Sequence, residues 1–495
     1  MLSFVIILGM TRAAKGKGPL YVRIAESLIR QMAQGALRPG DRAPSLRQLS
    51  REQRVSISTA LQAYLWLESR GYLEPRPQSG FYVRTPFSTL IPEPESEVGR
   101  VRPAVLGADG VFASMMEAAR DPGQLAFGPS IASPELFPNR KLNLILQRVV
   151  RSRPLHSTGY DFPPGVESLR RQIARRSIGM GCAFGPRDVT ITTGADAAIN
   201  LSLRAVARAG DVVAVESPTY FGILGSVASL GMKVVEIPTH PQEGMDLNEL
   251  ERSIRKHRVK ACITMTNCHN PLGFVMRDEC KKALVELTSR RGVILIEDDV
   301  YADLAFDGPR PRTAKSFDKD GSVILCSSFS KILSPGYRIG WVAGGRFRAE
   351  IERLQFLSTI AAPSLQQHVI AEFLESGGYE RHVKRLRTTL ASQVEEVRRA
   401  AAKYLPAGTR ISRPAGGYVL WVQLPGKIDT LELYQAALAE HITILPGAIF
   451  SSTGRYKNYM RLNCGHRWSE AHDRALLTLG RLCDRALGQS APSAS

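Results

Sequence analysis

The 495-residue chain has no Cys-x-x-Cys pair; its seven cysteines are widely spaced and odd in number. That usage excludes a disulfide framework or zinc ribbon and fits a reduced, cytoplasmic setting. Cys268 and His269 are adjacent, but two ligands do not make a metal site, and no metal is expected. Membrane-length apolar runs are missing too. The opening MLSFVIILGM falls short of the ~20 residues that cross a bilayer. It also lacks a basic n-region and a small-residue cleavage site, so translation from Met10 is expected, with residues 1–17 a disordered or misassigned start. Repeats and low-complexity tracts are absent. Acid is scarce: 46 Asp and Glu face 65 Lys and Arg, a net +19, which suggests an anionic partner. Residues 1–90 hold thirteen Lys and Arg against five Asp and Glu. What is present is ordinary: 44% hydrophobic and 22% charged residues, enough for a large core in roughly two to four domains.

The chain divides into a basic head (18–86), a linker (87–114), a long α/β body (115–487) and a short tail (488–495). The linker is proline-rich, mixed in charge and without periodicity. In the head, Ile24, Leu28 and Met32 recur every four residues, one face of a helix. Ser45 with Gln48 signals a capping box for a second, short helix. A third helix follows from SISTALQ, with Leu61, Tyr64 and Leu65 on its apolar side and Gly71 closing it. YLEPRPQSGFYVR then predicts two short strands around a turn. Helix, short helix, turn, helix, hairpin is the order of a winged helix-turn-helix, whose later helix enters the major groove. Arg42, Arg47, Arg51 and Arg54 precede that helix, and Arg76 and Arg84 lie in the wing. Any one of these is most simply a solvated side chain; six at matching places suit a phosphate backbone.

The tract PGDRAPSLRQLS…VSISTALQAYLWLESRGYLEPRPQSGFYV resembles the DNA-binding domain of GntR-type regulators. The resemblance implies double-stranded promoter DNA as partner. It implies contacts at Arg42, Ser45, Arg47, Ser56, Ser58 and Thr59 and in the wing around Gly80, to which Arg76 is added. Ala43, often Leu in relatives, and the less regular tract REQRVSIS depart from the pattern and leave the operator open.

The body alternates apolar strand candidates (188–192, 212–216, 233–237, 261–265, 293–299, 323–328, 339–345) with helical patterns such as DLNELERSIRKHR, which opens on Asp246 and Glu249 as a capping box. This predicts a mostly parallel sheet covered on both faces, with ligands at the carboxyl ends of strands. Four features lie there. TGADAAINL opens a helix whose free amides can seat a phosphate. NCHNPLGF fixes Asn270 in a turn. EDDVYADL sets Asp298 three residues before Tyr301. SSFSKILSPGYR carries Ser328, Lys331 and Arg338. Gly-x-Gly-x-x-Gly after the first strand, the P-loop and His-Glu-x-x-His are absent.

One lysine, one strand-end carboxylate, an Asn with a Tyr, and a phosphate seat with an arginine suit pyridoxal 5'-phosphate. Lys331 would form its Schiff base. Asp298 would pair with the pyridine nitrogen, and Asn270 and Tyr301 with the ring hydroxyl. Ser328, Arg338 and the amides of Ala195 and Asp196 would hold the phosphate, and Tyr220 would stack on the ring. Singly, NPLG is a common turn, a loop lysine is usually solvated, and Asp298 could cap a strand. In order, with Arg seven after Lys, the set resembles fold-type I aminotransferases over roughly 115–485, a mostly parallel large domain with a smaller α+β domain. That resemblance implies catalytic roles for Lys331, Asp298 and Tyr301. It adds Tyr160, which would reach the phosphate of a partner subunit, and Arg461, which would bind a substrate carboxylate beside Asn270. Asp196 departs from the usual Gln or Ser.

A GntR-type head joined to such a body resembles the MocR-type transcriptional regulators, which implies a homodimer, commonly head-to-tail. Two functions follow. The first is a regulator whose cofactor-bearing body senses an amino compound or the cofactor itself. The alternative is a working amino acid:2-oxo acid aminotransferase with a DNA-binding module; the complete constellation leaves turnover open. A third, plainer option is a cofactor-binding scaffold.

Overall fold

The computed structural model describes residues 19–76, 79–84, 92–95, 117, 120–121, 123–152, 158–241 and 243–488. The expectations for residues 1–17, for most of the linker and for the tail beyond Gly488 fall outside these. The chain forms two compact units, Met1–Leu90 and Ile91–Ser495.

The first unit has helices α1 (Leu20–Ala33), α2 (Leu46–Glu52) and α3 (Ile57–Ser69), then strands β1 (Leu73–Arg76) and β2 (Gly80–Val83). Ser45 and Ser56 are the N-caps of α2 and α3, their hydroxyls accepting from Gln48 N at 3.2 Å and Thr59 N at 3.1 Å; such caps are each worth about 1 kcal/mol. The expected capping box is only half formed, because the Gln48 side chain turns outward to Glu52. The irregular tract between α2 and α3 is closed locally: Ser50 Oγ donates to Val55 O and Val55 N to Ser50 O, with Arg54 at φ +49°. The apolar face of α3 also differs from expectation. Ala60, Ala63, Tyr64 and Leu67 are buried, while Leu61 and Leu65 are exposed. The small alanines let α3 approach its neighbours, and Tyr64 stays inside because its hydroxyl donates to Pro44 O. β1 and β2 pair antiparallel from Leu73↔Val83 to Arg76↔Gly80.

In the second unit, strands β3 (Leu125–Ala126), β4 (Val189–Thr192), β5 (Val212–Ser217), β6 (Lys233–His240), β7 (Gly244–Met245), β8 (Ala261–Thr264), β9 (Ile294–Asp298), β10 (Val323–Ser328) and β11 (Gly340–Ala343) lead to a C-terminal portion. The large sheet runs β4-β11-β10-β9-β8-β5-β6-β7. Its centre is parallel; β11 and β7 are antiparallel to their neighbours. All seven strand candidates are present within about two residues at each boundary, save that β6 runs on to His240. Their side chains are almost uniformly buried, as layers on both faces require. Helix α4 (Ala195–Val206) follows β4, α5 (Phe221–Ser229) follows β5, and α6 (Leu247–His257) precedes β8. Asp246 caps α6 through Asn248 N and Glu249 N, but Glu249 turns to Arg252, so this capping box is also half formed.

The C-terminal portion has a four-stranded sheet, β12 (Arg410–Ile411), β13 (Val419–Gln423), β15 (Leu445–Pro446) and β16 (Tyr459–Asn463), in the order β12-β13-β16-β15. Helix α7 (Thr430–Ala439) and strand β14 (Ile442–Thr443), which pairs with β3, complete it.

Candidate functional site

The carboxyl ends of β4, β9 and β10 face a cleft with about 1050 Å³ of empty space, part of it open solvent. Lys331, Asp298, Tyr301, Asn270 and Tyr220 all line it, as do Ala195, Asp196, Ser328, Arg338 and Arg461. Ten residues from six separate stretches of the sequence are thus brought to one cavity. Tyr160 lies outside the cleft, its ring 69% exposed beside Phe162.

Three consecutive acids end β9, and only one is left for the cavity. Glu297 accepts from Thr266 Oγ1 and from the amides of Ala314 and Lys315. Asp299 is held by Asn267 and Arg310. Asp298 is buried, and its Oδ1 has no partner. Burial raises its pKa well above the ordinary aspartate value, with Asp196 and Asp299 adding to the rise; the Val300 amide and Lys331 oppose it. A buried acid with an open oxygen suits a cationic N–H.

Lys331 follows β10, and its Nζ donates to Ser130 O at 2.8 Å. The Ser130 hydroxyl bonds to Tyr301 OH at 2.7 Å, and Tyr418 OH donates to the same carbonyl. Arg461, on β16, is 1% exposed. Its Nη1 donates to Asn270 Oδ1 at 3.1 Å and its Nη2 to Gly128 O at 2.7 Å, while Nε has no partner. Burial lowers its pKa, so this guanidinium gains from an incoming carboxylate.

Gly194 (φ +104°) opens α4. A Cβ there would lie 2.5 Å from Arg338 Nη2, so glycine is what lets the guanidinium approach. Arg338 donates to Thr193 O at 3.2 Å. Ser328 closes β10, and its Oγ accepts from Ser330 N. Free amides at a helix start, a guanidinium and a hydroxyl form an anion seat. Asp196 lines the cavity and, after burial, is the leading cause that raises the Tyr220 phenol; a carboxylate here makes the seat less positive than a neutral residue would.

Sequence reasoning missed the loop Gly128–Ile131 and the apolar wall of Tyr434, Thr443, Ile444 and Leu445. The loop acts mainly through the Gly128 and Ser130 carbonyls, which leave no residue pattern, and only the Gly-Pro turn in FGPSI hinted at it.

In the head, Arg42, Ser45, Arg47, Ser56 and Ser58 are exposed and Thr59 is half-buried. Hydroxyls of Ser58 and Thr59 lie 2.8 Å from Ser56 Oγ at the start of α3. Arg76 pairs with Glu74 and stacks over the Tyr82 ring at 4.2 Å. Gly80 has φ +102°, and the Arg42 side chain passes 3.5 Å from where its Cβ would stand.

Comparison with known proteins agrees with both halves. Residues 20–83 match the family of bacterial regulatory proteins, gntR family, and residues 152–476 match aminotransferase class I and II. The uncharacterized HTH-type transcriptional regulator YdcR of Escherichia coli K12 is 39% identical over 94% of this chain and 99% of its own length. The chain belongs to the MocR-type GntR regulators. The probable rhizopine catabolism regulatory protein MocR of Rhizobium meliloti is 27% identical over 86% of both chains. A MocR-type body is also similar to a solved enzyme, the α-aminoadipate aminotransferase LysN of Thermus thermophilus (26% identity, 76% of this chain and 95% of that one, TM-score 0.71), whose crystals hold N-(5'-phosphopyridoxyl)-L-leucine. This MocR-type chain is therefore a GntR-family regulator fused to an aminotransferase domain, and its family implies pyridoxal phosphate dependence.

Proposed function

We propose that the protein binds promoter DNA through its head and holds pyridoxal 5'-phosphate in the body cleft, and that a primary amino compound entering that cleft changes its operator affinity. The observation that carries this reading is Lys331 and an unpartnered, buried Asp298 in one cavity with an anion seat. When bound, the cofactor supplies an aldehyde that condenses reversibly with primary amines and a ring that withdraws electrons. Asp298 would hold a proton on the ring nitrogen. Arg338, Ser328 and the Ala195 and Asp196 amides would hold the phosphate. Tyr220 would pack on the ring, and the Asn270 amide and Tyr301 hydroxyl would orient the ring oxygen. Lys331 offers the primary amine against which an incoming amine competes. That competition gives the two ligand states different contacts, which a population shift requires.

Arg461 would bind the carboxylate of the amino compound. Arg461→Ala should weaken binding of α-amino acids by about 10- to 100-fold, the loss expected for charge-assisted hydrogen bonds. Simple alkylamines should be unaffected. Titration of the loaded protein by visible absorbance checks this, and equal losses for both classes would contradict the assignment.

Tyr160, Phe162 and Phe356 form an exposed aromatic row, with ring centroids 5.8 and 6.0 Å apart and Leu357 and Ile360 exposed nearby. This surface suits a second copy in a head-to-tail homodimer within the cytoplasm, with Tyr160 serving the partner's phosphate seat. Two heads would then read two operator half-sites. In each head, Arg42, Arg47 and Arg76 would meet DNA phosphates, and Ser45, Ser56, Ser58 and Thr59 would lie at the groove. Arg47→Ala should lower operator affinity and make the salt slope shallower by about 0.9 per head; an unchanged slope would contradict this docking.

The overall test is a panel of amino compounds screened for absorbance changes, then for operator binding. Rapid, steady conversion of an amino acid and a 2-oxo acid with no operator response would favour the enzyme reading instead.

A further inference from the structure

Residues Pro92–Glu95, just after the head, are fastened to the edge of the four-stranded sheet. Ile411 N donates to Pro92 O at 3.0 Å. Glu95 N donates to Gln423 Oε1 at 3.0 Å, and Tyr459 OH donates to Glu95 O at 3.2 Å. Arg410 pairs with the Glu95 carboxylate at 2.7 Å; Glu95 is 64% exposed, so this ion pair adds little and the three hydrogen bonds do the fastening.

The place of attachment has a specific register. Arg410, Gln423 and Tyr459 form one lateral row across β12, β13 and β16. Two residues further along, Trp421, Arg461 and Leu445 form the next row on the same face. Side chains two apart in a strand share a face, roughly 7 Å from each other. Arg461 and Leu445 line the cleft. The space between the rows is filled by aromatic packing: Trp421 stacks on Tyr459 at 5.4 Å and meets Phe450 at 5.1 Å, and Arg461 lies 5.4 Å from the Phe450 ring. These large side chains are almost wholly buried, so on the side away from the cleft a displacement of Arg461 is passed to close-packed neighbours.

We infer that this anchor is the coupling point between the cleft and the DNA-binding head: engagement of Arg461 by a ligand carboxylate shifts the β13–β16 rows and, through Tyr459 and Gln423, changes the hold on Pro92–Glu95. It rests on the functional reading above. Tyr459 and Gln423 are positioning residues; neither touches the ligand.

The test uses the full-length chain in two loaded forms, one with pyridoxal 5'-phosphate and one with N-(5'-phosphopyridoxyl)-L-leucine, a stable compound that carries both a phosphate and a carboxylate. Operator affinity is measured for each form by fluorescence anisotropy. In the wild type the two affinities should differ by about tenfold, within the usual range for coupled sites. In Tyr459→Phe/Gln423→Ala the ratio should fall below about twofold while affinity for the leucine compound stays within about twofold, because no cleft contact is lost. Glu95→Pro, which removes the tether's N–H and its ion pair with Arg410 but no residue that lines the cleft, should do the same. Both variants keeping the wild-type ratio would overturn the inference while leaving the sensor reading intact. Failure of the wild type to bind the leucine compound would instead overturn the reading of the cleft, and the inference with it.

Discussion

Lys331→Ala should abolish the response to simple alkylamines, which carry no carboxylate for Arg461, completely rather than weaken it. Among the described residues no other lysine lines the cleft, so no neighbouring amine can take over the covalent attachment. Arg338, Ser328 and Asp298 remain, and the variant should still bind the cofactor without a covalent bond. Three readouts follow. Borohydride treatment should fix a pyridoxyl label on wild type, mapped by mass spectrometry to the peptide holding Lys331, and on no peptide of the variant. The absorbance shift produced by amines should change in kind, because nothing is displaced. Operator affinity of the variant should be the same with and without an alkylamine. A variant that keeps the wild-type operator response would show that exchange at this lysine does not drive regulation. The contact between Nζ and Ser130 O adds a milder expectation: Ser130→Ala keeps that carbonyl, loses only the bond to Tyr301, and should leave covalent loading in place.

The second large effect concerns Asp298. Removing one member of a buried charge pair costs about 3–5 kcal/mol, so Asp298→Ala should weaken cofactor affinity by roughly two to four orders of magnitude. Asp298→Asn keeps the shape and should lose nearly as much, since an amide oxygen does not balance a cation. The pH dependence distinguishes this from general damage. Burial raises the Asp298 pKa, with Asp196 and Asp299 adding to it. In the cofactor-free protein its stabilising contribution is therefore complete below the unfolded value of about 3.9 and is lost as pH rises through the higher folded value. Cofactor-free wild type should melt progressively earlier than Asp298→Asn as pH rises from about 4, and loading with cofactor should cancel that trend in wild type alone. Parallel melting curves for the two proteins across pH would contradict the assignment.

Much of the site was legible because its chemistry is written at strand ends. Apolar runs located β4, β8, β9 and β10, and the polar residues that follow each run had one place to go. Asp298 could be singled out only in part: the sequence shows three acids in a row, and only the packing shows that Glu297 and Asp299 are already satisfied. Helix faces were less legible. Leu61 and Leu65 are more hydrophobic than Ala60 and Ala63, yet close approach of helices favours the small residues, and hydrophobicity alone points the helix the wrong way. The capping boxes failed in a related manner. Gln48 and Glu249 each had a competing partner, Glu52 and Arg252, one turn onward. The anchor at Pro92–Glu95 left no signal, because two of its four bonds are accepted by backbone carbonyls on the linker and a third is donated by its backbone amide. A stretch that reads as free linker is thereby fastened to a sheet near the far end of the chain.

The most direct measurement is a paired titration of the cofactor-loaded, full-length protein with an amino compound that alters its absorbance. Cofactor absorbance and operator-bound fraction would be recorded in the same samples. Coincident half-saturation of the two signals is predicted, since one occupancy governs both. An absorbance change that saturates while operator binding stays constant would contradict the account.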